Sequence, residues 1–104
     1  MQITITENAK KLFNKYIEMH PNHEVFLNFE MYDKASSMDG VIEVKLIKDI
    51  ENYYKIPTDW KQIYISKNSL DALDNQLIID YPDVLMIKSP NRTYGTRMAV
   101  EVVA

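Results

Sequence analysis

The amino-acid sequence predicts a β-rich α+β domain, with one N-terminal helix packed on a compact sandwich of short strands. Three observations predict it. A helical period of apolar residues appears at full length once, over residues 7–19. Several short stretches elsewhere alternate apolar with polar residues, the period of a half-buried strand. The 104 residues are 46% hydrophobic, with two glycines and no Pro/Gly/Ser-rich linker, so residues 1–104 read as a single domain.

The elements follow in chain order. Gln2-Ile3-Thr4-Ile5 alternates and reads as a short strand. Thr6 is suited to cap the helix, since its hydroxyl accepts from an unpaired first-turn N–H. Glu7 complements the positive helix end. Ala9, Leu12, Phe13, Tyr16 and Ile17 share one face, which reads as core, and Pro21 closes the helix. Val25, Leu27, Phe29 and Met31 alternate with Phe26, Asn28 and Glu30 as a strand, and residues 32–40 read as a loop. A strand over 41–47 points Ile42, Val44 and Leu46 to one side. Residues 48–60 hold neither period, and Pro57 with dense polar residues suggests an extended connection. A strand over 61–65 precedes a helical turn at 69–74, capped by Ser66 or Asn68, with Leu70 and Leu73 pointing inward. Asn75 stands where a helix end accepts a left-handed residue. Strands over 76–80, 84–88 and 97–103 are separated by Pro82 and the Pro90-Asn91 turn.

Composition excludes several functions. The net charge is −3, with lysines interleaved among carboxylates, which argues against nucleic acid as a partner. No apolar run has the roughly 18 residues of a membrane span. The N-terminus lacks a basic stretch followed by an apolar one, so the cytoplasm is the expected compartment. The absence of cysteine removes disulfides, thiolate catalysis and cysteine-ligated zinc together.

Three stretches resemble the HesB-like family of A-type iron–sulfur carriers. The first is Ile3-Thr4-Ile5-Thr6 leading to Ala9 and Leu12. The second runs from Ile65 to Asn75 and contains Ser69-Leu70-Asp71-Ala72-Leu73. The third, Ile87-Lys88-Ser89-Pro90-Asn91, is similar to the family's apolar-x-Asn-Pro-Asn segment, with Ser89 in place of the first Asn. The resemblance implies a helix on a β-sandwich and a link to iron–sulfur cluster biogenesis. It also implies a Cys-Gly-Cys motif a few residues after Asn91. Counted without gaps, those cysteine slots fall near Thr96 and Met98, with Arg97 between them. The third slot falls approximately at Ser36, in a loop that also holds Ser37 and Met38. Clusters are held chiefly by thiolates, so these residues are not ligands and no cofactor is expected.

Other candidates read more plainly. His20 and His23 offer two imidazoles, but two ligands do not complete a metal site, and a solvated loop is the expected reading. Asp71, Asp74, Asp80 and Asp83 lack the calcium-loop pattern and read as turn caps. Tyr53, Tyr54 and Trp60 form an aromatic group that either buries against the sheet or offers an interaction surface. No P-loop, dinucleotide fingerprint or nucleophile motif is present, so catalysis is not expected. Met98-Ala99-Val100-Glu101-Val102-Val103 is β-prone and either pairs internally or joins a second copy as a weak homodimer. The leading expectation is a non-catalytic HesB-like domain that binds a protein partner. The alternatives are a small ligand-binding protein or enzyme with a pocket lined by Tyr53, Tyr54 or Trp60, and a dimerisation module using the C-terminal strand.

Overall fold

Two β-sheets face each other across one apolar core, and the long helix packs beside them in a computed structural model that describes residues 1–31 and 40–103, with side chains at all of these but 30, 31, 40 and 41. The elements run β1 (Gln2–Ile5), α1 (Glu7–Met19), β2 (Glu24–Met31), β3 (Gly40–Ile47), β4 (Tyr54–Ile56) and β5 (Ile63–Ile65). They continue with α2 (Lys67–Ala72), β6 (Gln76–Asp80), β7 (Leu85–Lys88), β8 (Thr93–Met98) and β9 (Val100–Val102). The four-stranded sheet has the order β1-β6-β7-β8, and the five-stranded sheet β4-β5-β2-β3-β9. The fold is the predicted α+β sandwich.

Alternation explains the core. Ile3 and Ile5 of β1, Leu77 and Ile79 of β6, and Leu85 and Ile87 of β7 come from one sheet. Val25, Leu27 and Phe29 of β2 meet them from the other, with Ile42, Val44 and Leu46 of β3. Residues two apart on a strand share a face, so each strand supplies its whole apolar set to the same layer. The parallel pairs β1–β6, β2–β5 and β3–β9 need long connections, and α1 lies within the first of them.

Helix α1 begins as expected. The Thr6 hydroxyl accepts from Ala9 N–H at 3.3 Å and donates to Asp80 Oδ1 at 2.8 Å, tying the cap to β6. Ala9 and Phe13 are buried, while Leu12, Tyr16 and Ile17 pack at the margin of the core. Helix α2 holds on differently. Its buried Ser69 hydroxyl accepts Phe29 N–H at 2.7 Å and lies 2.6 Å from Ser66 Oγ. Strand β5 pairs with β2 only through Phe26–Tyr64 and Leu27–Ile65. Where the chain then turns into α2, the serine replaces the missing ladder partner.

The structure corrects four details of the sequence reading. The connection at 48–60 contains β4, where Ile56 alone is buried and pairs with Ile63. The helical turn starts and ends two residues early, at Lys67 and Ala72, and Leu73 leaves it in an extended conformation. Arg97, not Asn75, is the non-glycine residue with positive φ among the described residues. The single strand expected over 97–103 is two strands in different sheets, because a β-bulge ends β8 and Ala99 passes the chain across the sandwich.

Candidate functional site

Strand β8 forms an edge of the four-stranded sheet and carries two irregularities against β7. Leu85 pairs with Met98 and Ile87 with Gly95, so two residues of β7 span three of β8. The extra residue is absorbed near Arg97, whose φ is 53°. A bulge of this kind puts a residue in the left-handed region, which favours glycine. Thr96 is exposed and Met98 half-buried on either side of Arg97.

These residues border a groove of about 390 Å³ between β8 and the β3–β9 edge of the other sheet. Ile42, Val44 and Met98 supply apolar lining, and Glu43 and Glu101 supply carboxylates. The carboxylates flank Lys45, whose ammonium lies 3.5 Å from Glu43 and 3.7 Å from Glu101. Gly95 makes the close approach possible: a Cβ there would lie 2.8 Å from Met98 Sδ and 3.1 Å from Ile42 Cγ2. Tyr94 also lines the groove, and its ring meets Phe29 edge-on with centroids 5.9 Å apart.

A polar network fixes the base of β8. Ser89 donates to Asp74 Oδ2 and accepts from the backbone N–H groups of Asn91 and Arg92 at 3.2 Å. The Tyr94 hydroxyl accepts Asp74 N–H at 3.0 Å, and the Arg92 guanidinium lies 4.4 Å above the Tyr94 ring. The Ser89 hydrogen bond, assisted by Tyr94, Asn91 and the Arg92 charge, holds the Asp74 carboxyl below its usual range against an opposing effect of burial. Asp74 and Asp80 are thus turn and cap acceptors, as the sequence suggested.

The family model for iron–sulphur cluster biosynthesis matches residues 1–102. The chain belongs to that family. Among solved structures it is similar to a candidate Fe–S biosynthesis protein from Lactobacillus acidophilus, with 18% identity and a TM-score of 0.63 over 98% of this chain and 88% of that one. It is also similar to a second candidate Fe–S biosynthesis protein, from Lactobacillus salivarius and described as having a novel fold. That match has 20% identity and a TM-score of 0.60 over 98% and 96% of the two chains. At these identities the two structures show a shared fold. No curated protein matches the chain.

The resemblance to the HesB-like family implies a glycine between two cysteines near Arg97. The left-handed backbone of Arg97 is a conformation that glycine serves more readily than arginine. An iron–sulfur cluster does not fit the donor set present. Thr96 offers a hydroxyl, Met98 a thioether and Tyr94 a phenol already engaged by Asp74, and the sequence has no cysteine. Ser36, the approximate third slot, lies outside the described residues.

The aromatic group divides. Trp60 stacks on Phe13 of α1 with centroids 6.0 Å apart and belongs to the margin of the main core. Tyr53 packs at 4.4 Å on Phe26, part of a small second apolar cluster with Ile47 and Tyr64. Tyr54 is 48% exposed, and with Tyr53, Glu51, Asn52 and Lys67 it lines a cleft of about 300 Å³. The structure therefore brings Tyr53 and Tyr54 together and leaves Trp60 on the helix side.

The solvated-loop reading fails for His23, which is only 6% exposed. Its Nε2 lies 2.9 Å from the Val103 carbonyl oxygen, a contact eighty residues away in sequence. That partner comes from the far end of the chain, so no local signal announced it. His20 and His23 stand edge to face with ring centroids 5.3 Å apart.

No helix among the described residues is long and apolar enough to cross a membrane.

Proposed function

We propose that this chain is a non-catalytic, protein-binding or regulatory member of the iron–sulphur cluster biosynthesis family that does not carry a cluster on its own thiolates. The observation that carries the reading is the β8 bulge. Arg97 takes the left-handed conformation between Thr96 and Met98, the residues near the cysteine slots that the resemblance implies, and neither of these is a thiolate. A scaffold that keeps its shape while losing its ligands is suited to binding rather than carriage. The exposed Tyr53–Tyr54 cleft supports this, since tyrosine offers large rigid contact area with a polar tip. In this reading the protein acts in the cytoplasm and its partner is a protein of the cluster assembly apparatus.

Cross-linked capture from native cells tests the partner. The reading expects recovery of cluster-assembly proteins by the wild-type chain and loss of that recovery in Tyr54→Ala. Recovery of the same proteins by a Tyr53→Ala/Tyr54→Ala variant would remove those tyrosines from the reading. Recovery of no assembly protein by the wild type would overturn the biogenesis role. A small-ligand or enzymatic role for the same cleft has less support: its size is at the lower end for ligand sites, and Glu51 and Lys67 are the charged groups lining it.

A further inference from the structure

We propose that the groove between β3 and β8 receives an extended segment of a partner protein as an added strand, one that alternates apolar with basic residues. The proposal rests on the reading of this chain as a protein-binding one, and its surface is separate from the Tyr53–Tyr54 cleft.

The pairing pattern leaves part of a strand edge open. Strand β3 (Gly40–Ile47) pairs with β2 along its whole length, but with β9 only at Val44, Lys45 and Leu46. On the β9 side, residues 40–43 have no strand partner among the described residues. Two hydrogen bonds show which backbone groups face that gap. Phe29 N–H donates to Ser69 Oγ, so Phe29 turns its backbone groups away from β3, and its pairing with Ile42 is of the non-hydrogen-bonded kind. The Leu46 carbonyl accepts Val103 N–H on the β9 side. Backbone groups alternate in direction along a strand, so those of Ile42 point as those of Leu46 do, into the line of β9. Strand β9 does not reach Ile42, because the chain leaves that line at Ala99 and crosses to β8. An open edge of this kind is a template for another strand.

The groove beside this edge has matching chemistry. Four residues at about 3.3 Å each make the open edge roughly 13 Å long. Ile42, Val44 and Met98 line the groove, so an inward side chain of the added strand meets apolar surface. The next side chain lies on the outer face with Glu43 and Glu101, which alternate with the core residues of β3 and β9. These carboxylates share one ammonium, that of Lys45 at 3.5 and 3.7 Å, and the Asn28 amide donates to Glu43 at 3.4 Å. One negative charge is left over, and a lysine or arginine of the added strand balances it. Arg97, exposed at the bulge, does not line the groove. In strand addition, main-chain bonds supply affinity and alternate side chains supply specificity.

The experiment is an NMR titration of the nitrogen-15-labelled full chain with a capped hexapeptide of alternating valine and lysine. A valine–glutamate hexapeptide is the comparison. The expected result is saturable binding of the valine–lysine peptide below about 1 mM, with amide shifts at Ile42, Val44 and Thr96 and slowed hydrogen exchange at Ile42. Glu101→Gln, at an exposed position, should keep the fold and weaken binding about two- to fivefold. Absence of shifts at Ile42 with millimolar peptide, shifts confined to Tyr53 and Tyr54, or equal binding of the valine–glutamate peptide would overturn the proposal. So would unchanged binding in a folded Glu101→Gln, or an Ile42 amide as protected in the free chain as that of Lys45. Only purified components are used, so this titration and the capture of assembly proteins fail independently.

Discussion

Replacing Arg97 by glycine should stabilise this protein, although glycine ordinarily weakens a strand. The left-handed conformation costs an L-residue roughly 1–2 kcal/mol, and Arg97 carries that cost at φ 53°. Glycine removes it but loses about 0.5–1 kcal/mol more chain entropy on folding. The difference is a net gain of about 0.5–1 kcal/mol. The side chain contributes little to offset this, since it is exposed and makes no hydrogen bond or ion pair among the described residues. For a domain of this size the gain corresponds to a rise in Tm of about 2–5 °C. Thermal unfolding followed by far-ultraviolet circular dichroism, with a urea titration to confirm an unchanged m value, measures it. Arg97→Ala serves as control, because it removes the side chain and retains the backbone cost, and should stay within about 0.5 kcal/mol of wild type. A destabilised Arg97→Gly, or an equal gain in Arg97→Ala, would refute the left-handed conformation at the bulge.

Three further outcomes are expected. Ser69→Ala leaves the buried Phe29 N–H without its acceptor and should cost about 1–3 kcal/mol in urea denaturation, and a loss below about 0.5 kcal/mol would show that the serine does not replace a ladder bond. Gly95→Ala drives a methyl group against Met98 and Ile42 and should cost about 1–3 kcal/mol, and adding Met98→Ala should recover part of it, with additive losses arguing against the contact. Asp74 has a folded pKa below its ordinary 3.8, so its contribution is present above that value and is lost as pH falls through the folded pKa. Ser89→Ala removes the leading cause, so the stability gap between wild type and Ser89→Ala should narrow on acidification below pH 3.8, and a gap that widens there would contradict the sign.

Most of the fold was legible because strand and helix periods write burial directly into sequence. Ile3 and Ile5, or Ile42, Val44 and Leu46, announce their buried faces by spacing alone. Strand β4 escaped since it has three residues and only Ile56 is buried. The division between β8 and β9 escaped because an arginine sits at the left-handed position, where the usual glycine signal is missing. The groove at Thr96 and Met98 could be located only through the resemblance, because neither residue type signals a site. Tyr53, Tyr54 and Trp60 are close in sequence, but Trp60 turns toward Phe13 while Tyr53 turns toward Phe26. Burial of His23 depends on Val103, a contact no local pattern records.

The central claim is that the family's scaffold persists here without its cluster-holding chemistry. Anaerobic reconstitution of the purified chain with ferrous iron and sulfide tests it most directly, read by visible absorbance and by iron and sulfide content after desalting. The account predicts a desalted protein without the sulfide-to-iron absorption of a cluster and without stoichiometric sulfide. A stable, stoichiometric cluster on the isolated monomer would contradict it.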